Sequence, residues 1–215
     1  MPFERVRRDK PDLNKIRREI TDRGSKYYYP RLMDEYLSND TVMNLDKYRY
    51  LYLGAMFQED YDPYRPSPAP DMNSDLYHTT NPTSAQCEEI IANARKALAG
   101  NPLDMRQISA MIAAYNFLGE KNLAKIWQYK LNHLLLAIVS TGTGEDEKHA
   151  WYVIEPQHEY VLLNMMGYQV TNHLFYDPYY EYLTVVDVRN GKKGGFYFNL
   201  QPLLDEHYRK FPDER

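Results

Sequence analysis

A single cysteine, Cys87, stands in the 215 residues, so no intramolecular disulfide and no all-cysteine metal site can form. No apolar run approaches the roughly 18 residues that a bilayer span needs, and the longest, residues 134–139, falls far short. Basic charge is not in excess either. Lys and Arg number 26 against 30 Asp and Glu, a net charge of −4, which argues against a dedicated nucleic-acid binder. A basic stretch near the start (Arg5, Arg7, Arg8, Lys10) is followed by no apolar segment and does not read as a signal peptide. The compartment stays open on this reading: periplasmic or exported, if a leader preceded Met1 and was removed. Phe (7) and Trp (2) are few beside 21 Tyr. A tyrosine packs with its ring and seeks a partner with its hydroxyl. The surplus therefore implies either core edges that meet water or an exposed face that grips a ligand.

What is present is patterned. Leu13, Ile16 and Ile20 share one helical face behind Asp12 as a candidate N-cap, with Gly24 as a stop. Ser25 can cap a second helix that carries Tyr28, Leu32 and Tyr36. A third is predicted over 45–57, where Tyr48, Leu51, Tyr52 and Ala55 line one face and Tyr50, Leu53 and Phe57 another, the mark of a helix sandwiched between neighbours. Residues 58–82, with Pro63, Pro66, Pro68, Pro70 and Pro82, block helix and central strand and predict an extended inserted loop. That loop would either lie over the surface as a stiffened connection or present Tyr61, Tyr64 and Tyr77 to a ligand.

Helices are then predicted over 83–98, 103–118 and 121–140. In the register of a repeat of about 34 residues, Ala97 and Pro102 close one unit, and Tyr115, Gly119 and Ala124 open the next. Small residues suit close helix crossings, and Gly119 suits the tight bend between antiparallel helices. Five matches in one register resemble a tetratricopeptide repeat. Gln128 and Leu136 miss further consensus positions, so the pattern reads as tetratricopeptide-like pairing rather than an array. Tyr50-x-x-x-Gly54 echoes Tyr115-x-x-x-Gly119, which suggests an equivalent hairpin of helices 45–57 and 83–98.

Beyond Thr141-Gly142-Thr143-Gly144 the character changes. Short strands are predicted at 151–154, 168–176, 182–189 and 196–198. A short helix lies between the first two, Asn190-Gly191 signals a two-residue hairpin turn, and Pro202 starts a terminal helix. The fold class is α+β: antiparallel helical hairpins, then a small antiparallel sheet. We read one domain over 1–215, with a helical part over 12–140 that carries the loop 58–82, and a small α/β part over 141–208.

Chemistry is harder to find. His158-Glu159 starts a zinc-peptidase pattern, but the second histidine would fall at 162, which is Leu162. His78, His133, His149, His158, His173 and His207 show no ligand spacing, so no metal is expected. Gly142-x-Gly144 runs into Glu145-Asp146-Glu147, anions that would repel a phosphate, and reads as a flexible turn with solvated charges. Cys87 has no His beside it in sequence, and no Ser stands in a glycine-flanked elbow. No cofactor is expected and no catalytic set is assembled.

Several segments together are similar to a bacterial family, the domain of unknown function numbered 4919. They are Tyr28-Tyr29-Pro30-x-Leu32, Tyr48-Arg49-x-Leu51-Tyr52-x-Gly54, Gln58-x-x-Tyr61-x-Pro63-Tyr64, Thr141-Gly142-Thr143-Gly144, His158-Glu159-Tyr160-x-x-Leu163 and Tyr197-Phe198-Asn199. The resemblance covers roughly residues 26–200 and implies membership of a group often exported by gut-type Gram-negative bacteria, with no activity attached. The family tends to carry Asp between the two glycines, where this chain has Thr143. The expected function is non-catalytic binding or scaffolding of a protein, peptide or glycan through a tyrosine-rich surface made by Tyr48, Tyr52, Tyr61, Tyr64 and Tyr77. The alternative is a hydrolase acting on a glycan or peptide, its site assembled from distant residues such as His158, Glu159 and Asp177.

Overall fold

The computed structural model describes residues 6–66, 72 and 74–214; Arg5, Pro68 and Pro70, part of the patterns above, lie outside them. Helices come first and a four-stranded mixed sheet follows, so the class is α+β. The chain divides into two compact units. One runs to Tyr64 and resumes at Leu134; the other spans Arg65–His133.

The first unit opens with α1 (Leu13–Thr21), α2 (Tyr29–Leu37) and α3 (Leu45–Gly54). Asp12 caps α1 by accepting the Lys15 N–H at 2.9 Å, and Asn44 caps α3 by accepting that of Lys47 at 3.0 Å. These bonds satisfy donors that the first helical turn leaves open. Ser25 is not the cap of α2, which starts four residues later with Pro30 in its first turn. Ser25 instead donates to Glu19 and accepts the Tyr27 N–H. α3 packs against both α1 and α2. Gly54 marks the α1 crossing, since a Cβ there would lie 3.1 Å from Ile20 and 3.3 Å from Tyr29. Tyr48, Leu51 and Tyr52 are buried on this helix, each worth roughly 1.5–3 kcal/mol of transfer free energy.

In the second unit, α4 (Asp75–His78) precedes α5 (Ser84–Gly100), α6 (Met105–Phe117) and the first part of α7 (Lys121–Val139), which continues into the first unit. A reciprocal box starts α5: Gln86 N–H donates to the Thr83 hydroxyl at 3.2 Å, and the Thr83 N–H donates to the Gln86 side chain at 2.8 Å. α5 and α6, joined by residues 101–104, form a helical hairpin. Gly119 turns the chain from α6 into α7 at φ +76°, where a side chain would be strained.

The rest of the first unit holds β1 (Trp151–Tyr152), α8 (Gln157–Met165), β2 (Tyr168–Tyr176), β3 (Tyr180–Asp187), β4 (Lys193–Asn199) and α9 (Gln201–Lys210). The order β1-β4-β3-β2 is mixed, because β1 pairs with β4 in parallel while the other pairs are antiparallel. The wholly antiparallel expectation fails at that two-residue strand. It follows a helix and enters the sheet from the same end as β4. The hairpin turn is wider than two residues: Asp187 N–H bonds the Lys192 carbonyl, and only Gly191, at φ +72°, is left-handed. Arg189 and Asn190 bind the Asp187 carboxylate and hold its pKa down at about 2. Leu183, Val185 and Phe198 face the core from the sheet, and α8 packs beside β2.

Candidate functional site: a tyrosine platform and a carboxyl pair

Strand geometry builds the platform. Side chains alternate across a sheet, so the buried Leu183 and Val185 send Tyr180, Tyr182 and Thr184 to the opposite face. Register brings Tyr182 opposite Tyr197 on β4, and Tyr180 opposite Tyr176 on β2. The Tyr182 and Tyr197 rings lie 4.6 Å apart, and Tyr176 lies 6.4 and 6.3 Å from them. Tyr182 can lie down because Gly195 has no side chain; a Cβ there would fall 2.3 Å from the ring. Tyr176 is 42% exposed and Tyr182 and Tyr197 are half-buried. Burial raises the Tyr197 pKa, and its neighbours Tyr176, Tyr182, Glu147 and Asp146 add to that, which places an acidic rim beside the rings.

The tyrosines singled out from the sequence divide differently. Tyr48, Tyr52 and Tyr61 are core residues and present no surface. The reason is local: α3 is covered on two sides, and the Tyr61 hydroxyl donates to the Ile154 carbonyl at 2.5 Å. Burial lifts the Tyr52 and Tyr61 pKa values well above the usual phenol. Tyr64 is 51% exposed and stacks edge-on to His207 at 4.9 Å, in the first unit. Tyr77 lies in the second unit, half-buried on α4.

On the core-facing side of β3, Glu181 meets α8. Glu159 of α8 is fully buried, and among the described residues no donor reaches either of its carboxyl oxygens. Burial raises its pKa well above the usual carboxylate. The Glu181 charge adds to this, as does the hydrogen bond to Glu181 that the neutral acid makes. Glu159 is thus held neutral beside Glu181. His173 Nε2 lies 3.0 Å from Glu181, while Tyr64 and Tyr160 feel both carboxyl groups. Next to Glu159 in sequence, His158 is engaged at Nδ1 by the Tyr52 hydroxyl at 2.9 Å. Asp177 sits in the exposed turn between β2 and β3. Among the described residues, no group of three or more His, Cys, Asp or Glu is placed to hold a metal ion.

One family model, the Domain of unknown function (DUF4919), matches residues 14–209. The chain belongs to this family. No curated protein and no solved structure matches it.

In this DUF4919 chain the glycine-paired segment is a built element, not a flexible turn. The amides of Thr143 and Gly144 both donate to the His149 carbonyl, at 2.9 and 2.8 Å. A Cβ at Gly142 would lie 2.2 Å from that same oxygen, and one at Gly144, at φ +71°, would strike the Trp151 ring. Trp151 donates its indole N–H to the Gly142 carbonyl at 3.0 Å. Gly144 in turn accepts the Tyr197 N–H at 2.8 Å and so anchors the platform strand.

Sequence reasoning named Tyr64, His158 and Glu159 as candidates and did not name Tyr176, Tyr182, Tyr197 or Glu181. The available signal was Tyr180-x-Tyr182 in an alternating strand, with Gly194-Gly195 on the strand that returns.

Proposed function

We propose that the protein is a non-catalytic binding protein that holds a glycan on the outer face of its sheet. The observation that supports this is the Tyr176–Tyr182–Tyr197 cluster, three partly exposed rings held in mutual contact above Gly195. Such rings are amphipathic, with flat apolar faces and hydroxyl edges. A sugar offers apolar C–H faces to lie on them and hydroxyls for the carboxylates of Asp146 and Glu147. The rings are pre-positioned by strand register, which keeps the ordering cost of binding low. The tetratricopeptide-like reading of α5 and α6 belongs to the same proposal. It draws on their hairpin, on buried Ala97, Tyr115 and Ala124, and on the left-handed Gly119.

The test is titration of soluble oligosaccharides into the protein by calorimetry, beside Tyr182→Ala and Tyr197→Ala. Saturable binding by the wild type, lost in both variants while their circular dichroism is unchanged, supports the reading. Peptide binding instead of sugar binding at the same rings would replace the ligand class. Binding indifferent to both substitutions would remove the site.

A second reading, the hydrolase, draws on the Glu159–Glu181 pair, since a buried acid with a raised pKa beside a second carboxyl group can serve proton transfer. Turnover of a glycan or peptide that disappears in Glu181→Gln would establish it.

A further inference from the structure

The surroundings of Glu181 make a second site, independent of the platform because they lie on the other face of β3. Glu181 keeps a side-chain exposure of 13%. Its charge acts on the exposed Tyr64 (51%) and Tyr160 (40%), the exposed Phe175 (52%) lies opposite it in register, and His173 lies at its oxygen. They come from three places in the chain. Tyr64 follows the 55–57 turn, Tyr160 lies on α8, and His173 and Phe175 lie on β2. Phe175 is the direct cross-strand partner of Glu181, and His173 is the diagonal one.

Behind this rim lies Glu159, wholly buried, with no donor to either oxygen among the described residues. A buried acceptor without a donor is costly, and natural interiors seldom keep one without a use. Of the two carboxyl groups only that of Glu181 reaches solvent, since Glu159 is wholly enclosed. Aromatic faces beside a carboxylate attract an organic cation twice, through the ring quadrupole and through the charge. A sugar would find hydroxyl partners here, but nothing that rewards a positive charge. A phosphate or carboxylate ligand would be repelled by Glu181 and by Asp62, which also acts on Tyr64.

We propose that Glu181, backed by Glu159 and ringed by Tyr64, Tyr160, Phe175 and His173, binds an organic cation: the ammonium or guanidinium group of a basic side chain. Glu181 accepts the N–H donors. The rings of Tyr64, Tyr160 and Phe175 cover the apolar stem. Glu159 stays neutral beneath and donates to Glu181, which fixes the rotamer that faces the ligand.

The experiment is an amide NMR titration of the full chain with three probes: the N-acetyl methylamides of lysine, arginine and the neutral norleucine. The expected result is saturable movement of the Tyr160, His173 and Glu181 amides with lysine or arginine and none with norleucine. Affinity should fall with added salt, vanish in Glu181→Gln and drop about three- to tenfold in Tyr64→Ala and in Tyr160→Ala. Tyr182→Ala should leave it unchanged, so failure here is separate from failure of the glycan reading. Equal movement with norleucine would reveal an apolar patch only and overturn the proposal. So would the absence of saturation with both cations, or full affinity in Glu181→Gln. Should Glu181→Gln fail to fold, affinity that ignores both salt and Tyr160→Ala overturns it equally.

Discussion

The Tyr52 phenol oxygen lies 2.9 Å from His158 Nδ1 and also accepts the Ile154 N–H at 3.2 Å. The other ring nitrogen of His158, Nε2, lies 3.7 Å from the Glu155 carboxylate. One residue of α3 thus ties α8 and the strand-to-helix turn before it. Removing only the oxygen, in Tyr52→Phe, leaves two buried groups short of a partner. The expected loss is about 1–3 kcal/mol in urea unfolding, with unchanged far-UV dichroism.

Glu159 makes stability depend on pH. Its folded pKa is raised well above 4.5, through burial first and Glu181 second. Below the unfolded pKa both states hold the proton and the folded protein keeps its full stability. As pH rises the unfolded chain ionises while the folded one does not, and stability falls toward the folded pKa. Glu159→Gln, which cannot ionise, should raise the melting temperature at pH 8 and change it little at pH 4. A wild-type advantage at pH 8 would contradict this.

Two glycines with positive φ should respond differently to alanine. At Gly191 nothing lies within 4 Å of an added Cβ, so only the left-handed backbone is strained, a cost of about 1–2 kcal/mol. At Gly144 the Cβ would also meet Trp151 at 2.8 Å. Gly144→Ala should destabilise clearly more than Gly191→Ala in the same thermal assay.

The α5 box gives a local prediction. Thr83→Ala removes the acceptor of the Gln86 amide and should cost about 1 kcal/mol, with faster hydrogen exchange confined to the first turn of α5.

These contacts show what was legible in the sequence. Periodicity exposed α1, α3 and α5, and Asp12 marked the start of α1, because a cap acts on a residue three positions away. The strands at 168–176 and around the Asn190-Gly191 turn were legible for the same local reason. Three things were not. Which face of α3 meets solvent depends on partners at both sides, so Tyr48 and Tyr52 looked presentable while being enclosed. Pairing of β1 with β4 joins residues nearly fifty positions apart. The platform and the carboxyl pair depend on register, since Tyr182 meets Tyr197, and Glu181 meets α8, only after the sheet has formed.

Gly144 accepts the amide of Tyr197 at its carbonyl and lies with its Cα against the ring of Trp151. The placing of a solvent-facing ring is therefore delegated to a residue that has no side chain and touches no visitor. A substitution scan confined to exposed rings would overlook it, and a change at Trp151 would travel through that backbone to the sheet's outer surface.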